Sequence, residues 1–153
     1  MFIGNECKAI DYGDAGQGDP YYDVACVVNN IAFLDPLREE LLFSTYLGHK
    51  PSAAEKAKLY LMKQVVWMKW ICNDVARLSP EHLAQYDSVE SISPPALFKS
   101  DFEGRFDLSD PMNRLISVKA RLTLLLENTS SEEFANALQL LRDPTSTTSP
   151  KSL

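Results

Sequence analysis

Ile10-Asp11-Tyr12-Gly13-Asp14-Ala15-Gly16-Gln17-Gly18-Asp19-Pro20-Tyr21-Tyr22-Asp23-Val24-Ala25 is the stretch on which the reading of this chain turns. A short apolar run delivers two carboxylates, Asp11 and Asp14, to a glycine-rich turn. The turn closes on Asp-Pro, the signature of a helix start, with Asp19 as N-cap and Pro20 at the first helical position. Asp23 falls in the first turn of that helix, where the helix dipole favours an acid. Asp19 and Asp23 are therefore read as structural residues. Asp11, at the end of the apolar run, suits a hard cation, because Mg²⁺ takes oxygen ligands and keeps several waters. Asp14 either adds charge to the same ion or is a solvated turn residue; Asp11 itself has a turn-making role as its competing reading.

Upstream, Met1-Phe2-Ile3 and Cys7 to Tyr12 flank Gly4-Asn5-Glu6. This pattern predicts a short N-terminal β-hairpin, which needs a further surface to pack on. Downstream the pattern is helical. The first helix runs from Pro20 to about Ala32, and Asp35-Pro36 opens a second that stops at Gly48. Ser52 and Glu55 form a capping box for the longest helix, which runs to about Leu78. Apolar residues wrap most of the way round it, so it is expected to be largely buried. Ser79-Pro80 starts a short helical turn, residues 87–108 read as a long loop, and Asp110-Pro111 and Ser131 open two more helices. The Ser/Thr/Pro-rich residues 143–153 are expected to be a disordered tail, leaving 1–142 as the folded part.

The bulk properties set limits on function. The chain has 153 residues, a net charge of −6, and 45% hydrophobic residues. The acidity argues against nucleic acid, whose phosphates need a basic stripe, and against an anionic membrane surface. The three cysteines, Cys7, Cys26 and Cys72, have no C-x-x-C spacing, so neither a disulfide framework nor a zinc site is indicated. Free thiols fit a reducing, cytoplasmic setting. His49 follows a helix-stopping glycine and His82 sits in a short helical turn; neither opens an H-x-D-x-x-x-x-N pattern.

The stretch from Ile10 to Ala25 resembles the metal-binding segment of the aminoglycoside phosphotransferase and choline kinase superfamily, which reads roughly I-D-[FWY]-E-x-A-G-x-G-D-P-x-x-D-[LIV]-A. Gly13 departs from the usual Glu. The resemblance implies a mainly α chain: the helical C-lobe of a protein-kinase-like fold, carrying the short β-hairpin at its start. It also implies that Asp11 holds Mg²⁺ on the ATP phosphates, as the D-F-G aspartate of protein kinases does, with Asp14 beside it. A second likeness is Trp67-Met68-Lys69-Trp70, similar to a W-x-x-W of choline kinases that helps cage a quaternary ammonium. Residues three apart on a helix are neighbours, and indole faces attract cations. Two tryptophans on a buried helix are equally well read as core. The acid that assists the ammonium in choline kinases falls near Asn30 here, and an amide cannot neutralise a cation. Trp67, Trp70 and Asn30 are thus the expected substrate-binding residues.

In that superfamily the catalytic loop lies directly before the strand matched by Met1-Phe2-Ile3. Its H-x-D-x-x-x-x-N residues and the ATP-binding N-lobe have no counterpart in this sequence, so no catalytic residue is expected in the chain itself. The expected function is the C-terminal part of an ATP-dependent small-molecule kinase. It would phosphorylate a hydroxyl of a choline- or ethanolamine-like or aminoglycoside-like acceptor and be inactive as this chain alone. Its partners would be Mg²⁺-ATP, a small and cationic substrate, and a chain supplying the N-lobe. The alternative is a non-catalytic helical interaction module derived from the same fold.

Overall fold

Five of the seven described helices begin where an oxygen-bearing side chain precedes proline. The computed structural model describes residues 18–31 and 35–142, apart from the side chains of Ile31, Asp101 and Phe102, together with the backbone of Phe2–Ile3 and Glu6–Cys7. The helices described are α1 (Pro20–Ile31), α2 (Pro36–Leu47), α3 (Ala53–Val75), α4 (Pro80–Leu83), α5 (Pro94–Phe102), α6 (Pro111–Thr129) and α7 (Glu132–Arg142). The Asp35 carboxylate accepts the Leu37 and Arg38 N–H groups, and that of Asp110 accepts those of Met112 and Asn113. Each cap satisfies donors that the first helical turn leaves without partners. Ser52 and Glu55 form the reciprocal capping box of α3. Gly48 ends α2 at φ 73°, a left-handed conformation that glycine adopts without steric cost. The chain is mainly α, in agreement with the sequence.

Two strands, β1 (Phe2–Ile3) and β2 (Glu6–Cys7), pair antiparallel with Phe2 opposite Cys7. The second strand is expected over 7–12; Cys7 is paired, and residues 8–12 lie outside the described residues. The tail 143–153 also lies outside the described residues.

Packing is organised on α3, which lies against α1, α6 and α7. One core joins Val24, Ala25 and Val28 of α1 and Phe43 of α2 to Leu59 and Val66 of α3. A second joins Ile71 of α3 to Leu115 and Val118 of α6, with Leu78 and Val89 from the connections. A third sets Trp67 of α3 against Leu97 and Phe98 of α5 and Ala120 of α6.

Two expectations are corrected here. The run 87–108 is not one long loop, because α5 interrupts it and buries Leu97 and Phe98. Its apolar residues fill only one turn behind Pro94-Pro95, too few to show a helical period. Nor is α3 buried all round. Val65 and Met68 are 45% and 53% exposed and Cys72 is exposed too, because the neighbouring helices leave that side of α3 open.

Between α3 and α6 lies a buried ion pair. Arg121 Nη1 donates to Asp74 Oδ2 at 2.7 Å, and both residues are less than a tenth exposed. The Arg114 Nε stands 4.0 Å from the other carboxylate oxygen. Removing one member of such a pair leaves an uncompensated buried charge. Asp74→Ala is therefore expected to lower unfolding free energy by about 3–5 kcal/mol in urea denaturation. Replacing Asp74 and Arg121 together by leucine should recover most of that loss; a double variant as unstable as Asp74→Ala would contradict this.

Candidate functional site

The chain that follows the glycine turn is held where α1 begins. The Asp19 carboxylate accepts the Tyr21 N–H at 3.0 Å and pairs with the Lys58 ammonium of α3 at 2.9 Å. Tyr46 of α2 donates its hydroxyl to the Pro20 carbonyl at 3.2 Å. The Tyr21 ring meets Phe43 edge-on, and Lys58 lies 4.3 Å from the Tyr21 ring centre. Asp23 is exposed in the first turn of α1, with no hydrogen-bond or ion-pair partner among the described residues. Asp11 and Asp14, the carboxylates named for Mg²⁺, lie outside the described residues. Among the described residues no group of three or more His, Cys, Asp or Glu side chains could hold a metal ion.

The hydrogen bond from Lys58, followed by that from the Tyr21 N–H, holds the Asp19 carboxyl below the ordinary carboxylate range. Ser52 and its backbone N–H do the same for Glu55, with a smaller contribution from His49. A carboxylate with a lowered folded-state pKa stabilises the fold above its unfolded value, and that contribution is lost as pH falls through the folded value. The grip on α1 and the cap of α3 should therefore loosen as pH drops below about 4. The Tyr21 and Glu55 amide resonances report this, and in Asp19→Asn the Tyr21 transition should disappear.

The three residues expected to bind substrate are not all together. Asn30, at the far end of α1, and Trp70 of α3 line one cleft of about 350 Å³. Trp67 lies elsewhere, fully buried. Its ring stacks on Phe98 with centroids 4.9 Å apart and meets the edge of Trp70 at 5.2 Å. Its other surroundings belong to a separate cleft of about 450 Å³, walled by Phe43, Leu59 and Leu124 and crossed by the Lys63–Glu39 and Lys56–Glu40 ion pairs. A helical spacing of three makes the indoles neighbours, yet α5 claims one of them for the core.

Four further residues complete the Asn30–Trp70 cleft with polar groups. Asn73, Asp74 and Arg77 follow Trp70 at helical spacing along and just past the end of α3, and Arg121 enters from α6. The Arg121 guanidinium lies 5.5 Å from the Trp70 ring centre while it pairs with Asp74. Leu108 closes the rim, its carbonyl held by two donors from Arg114. The helical recurrence from Trp70 through Asn73 to Arg77 is present in the sequence. The approach of Arg121 depends on tertiary packing and leaves no local signal. Asn30 donates its side-chain amide to the Cys26 carbonyl at 3.0 Å. Burial raises the pKa of the Cys26 thiol, which keeps it protonated and unreactive. His49 bonds Glu55, and His82 bonds the capping Ser79; both serve helix starts.

No protein-family model, curated protein or solved structure matches this chain. No helix among the described residues is long and apolar enough to cross a membrane.

The two tryptophans should respond differently to truncation. Trp67→Ala is expected to cost about 3–5 kcal/mol, as for a buried aromatic that leaves a cavity. Trp70→Ala should cost clearly less, because Trp70 is only partly buried. Urea unfolding of the two variants measures this, and equal losses would contradict the separation of core from cleft.

Proposed function

We propose that this chain is the C-terminal part of an ATP-dependent small-molecule kinase of the aminoglycoside phosphotransferase and choline kinase type. The complete enzyme would move the ATP γ-phosphoryl to a hydroxyl of a choline- or ethanolamine-like or aminoglycoside-like acceptor. The observation that carries the reading is the stretch from Ile10 to Ala25, dense in the residues of that superfamily's metal-binding segment. Asp11 and Asp14 would hold Mg²⁺, for which two carboxylates are a chemically suitable oxygen donor set. When bound, Mg²⁺ would supply positive charge that offsets the charge of the nucleotide phosphates.

The rest is positioning. The anchors on Asp19, Pro20 and Tyr21 hold the start of α1 against α2 and α3. The cleft shared by Asn30 and Trp70 would receive the acceptor. It lies about 16 Å along α1 from Asp19, and the chain from Asp11 to Asp19 reaches at most about 30 Å when extended. The distance therefore permits both ends to serve one site. This sequence contains no H-x-D-x-x-x-x-N pattern to orient the hydroxyl, so the chain alone would turn over no substrate.

The second reading, a non-catalytic interaction module, is favoured by the exposed apolar side of α3, where Val65, Met68 and Cys72 recur at helical spacing. Calorimetric titration with Mg²⁺-ATP separates the two. The kinase reading expects Mg²⁺-dependent binding that Asp11→Ala weakens at least about tenfold, the lower end of what even an outer-shell partner of a metal is worth. Binding that is absent, or identical in Asp11→Ala, would remove the metal-site assignment from this chain.

A further inference from the structure

Among the described residues, the cleft between Asn30 and Trp70 carries one unbalanced charge, the positive charge of Arg77, on a negatively charged protein. The chain carries −6 overall, yet the described ionic groups lining this cleft are Arg77, Arg121 and a single carboxylate, Asp74. That carboxylate is already balanced, by Arg121 at 2.7 Å and by Arg114 at 4.0 Å. Arg77 is exposed, and its guanidinium has no hydrogen-bond or ion-pair partner among the described residues. Asn73 beside it is exposed and adds an amide donor, likewise with no partner among those residues.

Charge also determines what Trp70 can bind. A cation is drawn to an open indole face, and more strongly where a carboxylate is free to pair with it. Here the protein's own guanidinium, Arg121, lies over the Trp70 ring. The one carboxylate among the described lining residues, Asp74, is held by that same guanidinium. Among the described residues, an incoming cation would meet the unbalanced charge of Arg77 with no lining carboxylate free to offset it. A small oxyanion would meet a planar guanidinium whose fork matches two oxygens, with an amide donor adjacent.

Resting on the reading of this cleft as a kinase's acceptor site, we infer that the acceptor is a hydroxyl compound with an anionic group, a carboxylate or a phosphate ester. Arg77 receives the anion, Asn73 donates to it, and Trp70 covers the apolar part of the molecule. This narrows the acceptor type given above to one that carries an anionic group, and a quaternary ammonium alcohol such as choline is expected to bind more weakly. The site needs neither ATP nor Mg²⁺ to bind its anion, so it is testable on the chain as it stands.

The test is NMR titration of the ¹⁵N-labelled chain at constant ionic strength, following the two tryptophan indole N–H resonances and the backbone amides of Asn73 and Arg77. The probes are inorganic phosphate, acetate and choline chloride. Phosphate is expected to shift the Trp70 indole and the Asn73 and Arg77 amides in a saturable way while the Trp67 indole stays put. Arg77→Gln, at an exposed position, should fold normally and weaken phosphate about tenfold, the lower end of the range for a hydrogen bond to a charged group. Acetate binding as well as phosphate would assign a carboxylate, and phosphate binding alone a phosphate ester; both uphold the inference. Choline binding at Trp70 as tightly as phosphate, no saturable phosphate binding, or phosphate binding unchanged in Arg77→Gln would overturn it. Asp11→Ala should bind phosphate like the parent chain. Phosphate binding through Arg77, together with Mg²⁺-ATP binding indifferent to Asp11, would sink the kinase reading and leave the anion site standing.

Discussion

Asp74 and Arg121 are both shut away from water, and a charge in that position needs its opposite within hydrogen-bonding distance. They meet at 2.7 Å between α3 and α6. Apolar packing alone tolerates small slides between helices, whereas this contact does not. A slip of one turn, about 5.4 Å, would leave two buried ions without partners. The pair therefore sets the register of α6 on α3, and other features follow from that register. It brings the Arg121 guanidinium over Trp70, places Ala120 against Trp67, and commits Asp74, the one carboxylate among the described residues of the Asn30–Trp70 cleft, to the protein itself. The charge that the cleft shows to a ligand is thus a consequence of how the bundle is locked.

The helices were largely legible because their starts carry their own chemistry. Asp35-Pro36, Ser52 with Glu55, Ser79-Pro80 and Asp110-Pro111 each place an acceptor oxygen before unpaired N–H groups, and local chemistry of that kind survives any tertiary context. The helix α5 has a Ser-Pro start too, with the Ser93 carbonyl accepting the Leu97 N–H at 3.0 Å. It was hidden because Leu97 and Phe98 make a single apolar turn between polar residues. The solvent-facing side of α3 was hidden for the opposite reason. Val65, Met68 and Cys72 look like core in sequence, and only the placement of α1, α6 and α7 shows that nothing among the described residues covers them.

The candidate site was half legible. Asn30 and Trp70 were singled out from one sequence and do share a cleft, but Trp67 has been drawn into the core by the ring of Phe98. Spacing along a helix states which side chains are neighbours. It does not state which of them a third element will cover. Arg121 lies far along the chain from Trp70, and no periodicity joins them; its role follows from the ion pair. The stretch from Ile10 to Ala25 has the converse character. Its chemistry is dense in the sequence, and the structure contributes the anchors on Asp19, Pro20 and Tyr21 that fix where it enters the helical body.

The proposed reading rests on the stretch from Ile10 to Ala25 holding a divalent ion on a nucleotide. The most direct measurement is paramagnetic broadening of the amide resonances of the ¹⁵N-labelled chain by Mn²⁺, a stand-in for Mg²⁺, in the presence of ATP. The proposal predicts broadening centred on Asp11 and Asp14 that is lost in Asp11→Ala. Broadening scattered over the surface carboxylates, or unchanged in Asp11→Ala, would contradict it.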